Sequence, residues 1–178
     1  MKTAKATFAG GCFWCIEAAL NSLEGVIEAT SGYCGGETLS VDYDSICTGK
    51  TGHAEVVQVT FDESKISYQD LLAIFFTIHD ATQLNRQGND IGTQYRSAIF
   101  YHDETQQQLA QTYIKRLTEE AVFNAPITTT VVPIATFHPA EDYHQGYYLK
   151  NPNQGYCTAV ISPKFNKFKA QYKEKLKS

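Results

Sequence analysis

The sequence predicts an α+β fold in a single mixed layer structure, and three observations lead there. Segments with strand character alternate along the chain with segments of helical periodicity. The clearest strand, His53 to Asp62, carries β-branched and apolar residues at every second position. The chain has 178 residues, 43% of them hydrophobic, enough to build one domain around one core.

The elements follow in order. Thr7 and Phe8 open a short strand that meets Gly10 and Gly11. Ile16, Ala19, Leu20 and Leu23 then recur at helical spacing, and Gly25 fits the helix stop. Val26 to Tyr33 reads as a strand, closed by Cys34-Gly35-Gly36. The polar, glycine-dotted stretch 37–52 reads as a long loop, and loops of that length in compact domains usually carry function. After the His53–Asp62 strand, Ser67 to His79 reads as an amphipathic helix with Leu71, Leu72, Phe75 and Ile78 on its inner face. Ser67 is its N-cap and Asp70 completes a capping box. Residues 80–95 form a second polar loop, and Ser97 to Tyr101 a strand. Glu104 to Ala121 is an exposed, glutamine-rich helix; Thr128 to Ala135 is an edge strand because it contains Pro133. A Tyr- and His-rich, partly helical stretch runs from Phe137 to Lys150. A turn, Tyr156-Cys157 and a lysine-rich helix or extension from Ser162 end the chain. The whole reads as one catalytic domain, 1–178, with a core at about 4–150 and a tail at 151–178.

Composition narrows the function classes. Net charge is −4 and no basic cluster precedes the C-terminal tail, which argues against a nucleic-acid partner. No apolar run is long enough to span a membrane and no secretory signal is visible, so the expected location is the cytoplasm. Five cysteines are an odd number and too sparse for a disulfide scaffold, which fits thiols in a reducing compartment.

The chemistry concentrates in Phe8-Ala9-Gly10-Gly11-Cys12-Phe13-Trp14-Cys15-Ile16-Glu17. A cysteine between two glycines and a helix start sits where unpaired backbone N–H groups and the helix dipole favour an anion. A thiol there loses its proton readily and becomes a nucleophile. Cys15 completes a Cys-x-x-Cys pair, which fits a redox dithiol or half a zinc site. Glu55 shares the parity of Val57, Val59 and Phe61, so a carboxylate falls on the face that buries aliphatics. Either that strand end is wet or Glu55 is partly buried with a raised pKa.

Other patterns fail. Gly49-Lys50-Thr51 lacks the glycine a phosphate-binding loop needs, since Asp44 stands there. His138, Glu141 and His144 have neither zinc-protease spacing and read as aromatic packing on a helix. Cys34, Cys47 and Cys157 are scattered singly and offer no second half to a zinc site. The residues alone therefore leave a thiol enzyme, either a dithiol–disulfide oxidoreductase on Cys12 and Cys15 or a chemistry that needs Glu55. A module that binds without turnover is the third possibility.

Four blocks resemble the type A peptide methionine sulfoxide reductases. They are Gly11-Cys12-Phe13-Trp14, Thr51-Gly52-His53-Ala54-Glu55, Gln87 through Ser97, and the segment around Tyr156-Cys157. The resemblance spans nearly the whole chain. It implies a two-layer sandwich with a mixed, ferredoxin-like sheet core, helices packed on it and an irregular C-terminal extension. It implies that Cys12 attacks the sulfur of a methionine S-sulfoxide, protein-bound or free, and ends as a sulfenic acid. Glu55 is then the proton donor, Tyr43 and Tyr95 bind the sulfoxide oxygen, and Phe13 and Trp14 surround the methyl group. Asp90 belongs to the same site. Cys157 is the resolving thiol and Cys15 the second candidate, since many relatives carry glycine there. No metal or organic cofactor is implied, and the implied partner is thioredoxin or a similar dithiol reductant. Cys47 is read as structural; Ala81 replaces a proline usual in relatives.

Overall fold

The computed structural model describes residues 2–11, 13–35, 52–87, 90–134, 137–151, 153–155, 157 and 161–176. Cys12, Tyr43, Cys47, most of the 37–52 loop and Tyr156 lie outside them.

Among the described residues six strands form the main sheet: β1 (Thr3–Ala9), β2 (Val26–Cys34), β3 (Ala54–Asp62), β6 (Ala98–Tyr101), β7 (Thr130–Pro133) and β8 (His138–Pro139). Two short strands, β4 (Arg86–Gln87) and β5 (Asp90–Ile91), pair as a separate hairpin. The helices are α1 (Phe13–Asn21), α2 (Tyr68–Ile78), α3 (Glu104–Glu119), α4 (Tyr147–Lys150) and α5 (Ser162–Gln171). The sheet order is β7-β6-β1-β3-β2-β8. Its central four strands, taken with α1 and α2, run β-α-β-β-α-β in the ferredoxin-like order expected. All pairs are antiparallel except β6 with β7. Pro133 ends β7 at the sheet edge, where its missing N–H costs no ladder bond.

The period-2 pattern decides what each face buries. Val57, Val59 and Phe61 join Phe8, Ile16, Leu20, Leu71 and Phe75 in the main core between sheet and helices. Ala54 and Val56, of opposite parity, join Ala9, Cys34, Ala98 and Phe100 in a smaller cluster. A large apolar side chain buried this completely contributes about 1.5–3 kcal/mol each. α2 carries the predicted capping box: Ser67 Oγ accepts from the Asp70 N–H at 3.0 Å, and Asp70 accepts from the Ser67 N–H at 3.2 Å.

The β2–β3 pairing sets the position of the strand end that matters below. It contains one irregularity: Val26 faces Phe61 and Glu28 faces Thr60, so Ile27 is an extra residue on β2. From there the register runs without a break to Tyr33 opposite Glu55 and Cys34 opposite Ala54.

The structure is more ordered than the sequence reading at two places. β1 starts at Thr3 rather than near Thr7. The second polar loop holds the β4–β5 hairpin and a 3-10 turn at Thr93–Tyr95. At the C-terminus the helical alternative holds from Ser162, and the described residues of that segment reach the core. Cys157, Ile161, Phe165 and Phe168 are buried in the main core, because the apolar residues of α5 recur at helical spacing and face inward.

Candidate active site

The site forms where β1 hands over to α1, beside the start of β3. Gly10 and Gly11 bring the backbone there into close contact with two side chains. A Cβ on Gly10 would lie 2.8 Å from the His79 ring, and one on Gly11 2.7 Å from Gln87 Cγ. Gly11 also has φ +92, which L side chains rarely adopt. Gln87 cannot easily retreat. Its amide accepts from the Asp80 N–H at 2.7 Å and donates to the Asp80 carbonyl at 2.9 Å. His79 is held in turn by Ser97, at 2.8 Å from its Nε2. The two glycines are therefore a requirement of close approach immediately before Cys12. Gly11→Ala is expected to cost about 1–3 kcal/mol in backbone strain, and more through Gln87. Urea unfolding and the rate of the first turnover should both fall.

Phe13, the first residue of α1, is fully buried, with Tyr33 at 5.6 Å and His144 at 5.3 Å between ring centroids. Trp14 stacks on Tyr147 at 3.9 Å and 13°. Its indole N–H donates to His144 Nδ1 at 3.0 Å. Phe13 and Trp14 are thus walled by a segment that the sequence reading assigned only to packing. The hint was there in the density of Tyr and His between 137 and 150, but no spacing tied those residues to Trp14, 130 positions away.

Glu55 settles one open alternative: the strand end is dry. Its side chain lies on the core face at 1% exposure. Oε1 accepts from the Phe13 N–H at 3.2 Å, and Oε2 has no hydrogen-bond partner among the described residues. Desolvation pushes its pKa up to about 8; the Phe13 N–H pulls the other way and the charge of Asp90 pushes further up. A carboxyl raised that far holds its proton at neutral pH, and its Oε2 has no partner among the described residues.

The other predicted residues distribute as follows. Asp90 begins β5 and faces Gln87 across the hairpin, near enough for its charge to act on Glu55. Tyr95 is half-buried in the turn Thr93–Tyr95, which packs on β3. Phe13, Trp14, Glu55 and Asp90 are brought together; Cys12 and Tyr43 lie outside the described residues. Cys15 and Cys157 are both buried in the main core. Burial raises the Cys157 thiol. Tyr33, Glu141 and Glu17 were missed: the Tyr33 hydroxyl donates to Glu141 at 3.1 Å, and Glu17 is buried at 2% exposure. A cavity of about 540 Å³ lies on the other side of Gln87, lined by His79, Asp80, Phe123 and Lys167, and contains none of Phe13, Trp14 or Glu55. No helix among the described residues is long and apolar enough to cross a membrane.

Comparison with known proteins adds a family to this geometry. The family model described as peptide methionine sulfoxide reductase matches residues 4–176. The chain is similar to the peptide methionine sulfoxide reductase MsrA of Deinococcus radiodurans, with 56% identity over 173 residues, 97% of this chain and 84% of that one. Its fold is similar to the reduced form of Mxr1 from Saccharomyces cerevisiae, with a TM-score of 0.81 and 36% identity over 88% of this chain and 90% of the other. It is also similar to Mxr1 in complex with Trx2, with a TM-score of 0.57 and 26% identity over 82% and 85% of the two chains.

Proposed function

The chain belongs to the peptide methionine sulfoxide reductase family, and on that premise we propose that it is an oxidoreductase that returns methionine S-sulfoxide to methionine, with Cys12 as nucleophile and Glu55 as proton donor. The observation that carries this reading is the buried carboxyl of Glu55, which accepts through Oε1 from the first N–H of α1, has no partner for Oε2 among the described residues, and has its pKa raised by desolvation.

The steps follow from the chemistry of the sulfoxide. The Cys12 thiolate attacks the electrophilic sulfur. The sulfoxide oxygen, basic and gaining charge as the S–O bond weakens, takes the proton from Glu55. Oxygen passes to the cysteine sulfur, so the thiol is oxidised by two electrons to a sulfenic acid and the substrate leaves as a thioether. Tyr43 and Tyr95 hold the oxygen by their hydroxyls, and Phe13 and Trp14 shape the wall around the methyl group. Burial keeps Glu55 protonated, and the charge of Asp90 adds to that in the same direction. A second thiol, Cys157 with Cys15 as the alternative, then displaces water from the sulfenic acid to give a disulfide. A thioredoxin-type dithiol reopens it by exchange. Cys157 lies buried in the core, away from competing thiols in solution. Substrates are methionine sulfoxide in proteins and the free amino acid, the role is repair of oxidised proteins, and the unit is one catalytic domain over 1–178. Location in the cytoplasm is supported by the cysteine content, five in 178 residues, an odd and sparse set that suits thiols in a reducing compartment.

The test is mass spectrometry of the fully reduced protein after one equivalent of S-methionine sulfoxide, with mapping of the thiols. The expected result is one methionine released and a Cys12–Cys157 disulfide. A Cys12–Cys15 bridge would overturn the recycling route alone. No thiol consumed would overturn the reductase mechanism.

A further inference from the structure

Glu17 is buried and charged-competent, and the mechanism does not use it. It lies on α1 one turn after Trp14, so the two side chains leave the helix on neighbouring faces. Both carboxylate oxygens accept from the Gly146 N–H, Oε1 at 3.0 Å and Oε2 at 2.9 Å. Oε1 also accepts from the Ser31 hydroxyl at 3.2 Å. The adjoining Gln145 ties the same segment to β2: it accepts from the Ser31 N–H at 3.0 Å and donates to the Ser31 and Ala140 carbonyls. Gly146 itself has φ +67, a left-handed turn between the 3-10 turn Asp142–His144 and α4.

That turn has two ends, and Trp14 meets both. His144, two residues before Gly146, accepts the indole N–H; Tyr147, one residue after, stacks on the indole face. A single bifurcated bond from the Gly146 N–H to Glu17 thus sits between the edge contact and the face contact of the same side chain. We propose that Glu17 is a positioning residue: by clamping the Gly146 backbone to α1 it holds His144 and Tyr147 against Trp14 and so sets the orientation of the wall that receives the substrate methyl group. The inference rests on the assignment of Trp14 to the substrate pocket made above.

The chain has one tryptophan, so its emission reports on this site alone. Glu17→Gln can keep one oxygen on Gly146 and turn its NH2 toward the Ser31 oxygen, and is expected to match the parent. Glu17→Leu keeps the volume and leaves the Gly146 N–H unpaired. It is expected to shift the Trp14 emission and to raise the half-saturating sulfoxide concentration in first-turnover kinetics roughly three- to tenfold, the worth of about one hydrogen bond. The limiting first-turnover rate should stay nearly level, because the groups that move electrons and protons are untouched. Loss of thermal stability with emission and half-saturation unchanged would make Glu17 a strut only and overturn the proposal. If Glu17→Leu does not fold, His144→Phe decides. It keeps a ring against Phe13 and Trp14 but removes the acceptor, and unchanged emission and half-saturation there would equally overturn the clamp. Trp14→Phe separates the two claims. An unaltered half-saturation in that variant removes the pocket assignment, while the Glu17→Leu emission still judges the clamp.

Discussion

Cys12→Ser is expected to abolish release of methionine, the first turnover included, by a factor on the order of 10⁴–10⁶. A serine hydroxyl at the same place is a hard and barely ionised nucleophile, whereas the reaction needs a polarisable thiolate to take the oxygen and become a sulfenic acid. The change is small in volume and leaves Gly11 and the start of α1 untouched, so the folded structure is expected to persist. Methionine released per enzyme, read by chromatography without any added reductant, is the measurement. A variant that still released one methionine per chain would move the nucleophile to Cys15 or Cys157.

Glu55→Gln is the second large effect, and it should move activity and stability in opposite directions. The amide keeps an oxygen for the Phe13 N–H but has no proton to give, so first-turnover reduction is expected to fall about 10²–10⁴-fold. In the parent the same rate should decline as pH rises through about 8, where the carboxyl ionises. Stability follows the opposite logic. The pKa is raised from 4.5 to about 8 on folding, so the native state binds this proton more tightly than the unfolded chain. Its contribution is full below pH 4.5, is lost progressively as pH rises toward 8, and stays lost above that. Glutamine carries no such dependence. At pH 8 the variant is therefore expected to melt higher than the parent, by up to a few kcal/mol at about 1.4 per pKa unit. At pH 4.5 the two should nearly coincide. A variant that melted lower at pH 8 would mean that the carboxyl is ionised and paired in the fold.

The sequence and the structure agree most closely where short-range rules decide. Ser67 with Asp70 and Pro133 at the end of β7 each act through their own backbone, and each stands where the pattern placed it. Gly25 turns the chain at φ +95 but does not stop the helix: α1 ends at Asn21 and Leu23 already bridges to Leu176, a contact 153 positions away that helical spacing cannot reveal. Glu55 was legible as an anomaly of parity, because a strand's period of two assigns faces without knowledge of partners. Whether its surroundings were dry was not legible, since that depends on Phe13, 42 positions away. The same holds for the wall of the site. Trp14 with His144, Glu17 with Gly146 and Tyr33 with Glu141 are pairings across more than 100 positions. No local periodicity encodes such contacts; they exist only once α1 and the 141–147 segment have been laid on the same sheet edge. The hairpin inside the second polar loop escaped for another reason: two-residue strands carry no periodicity to detect.

The extra residue at Ile27 has a bearing on which positions of this protein can change over generations. It sits at the far end of the β2–β3 ribbon, six residues and roughly 20 Å from the pair Tyr33–Glu55. The turn before it is held on every side: Leu23 is buried and bridged to Leu176, the Gly25 carbonyl accepts from the Asp62 N–H, and a Cβ on Gly25 would meet Ile66 at 2.8 Å. The irregularity lets that fixed turn and the ribbon beyond it keep separate phases. Ile27, exposed and outside both cores, is the residue there that is open to exchange. The acid at the other end is kept in phase by every pair between them.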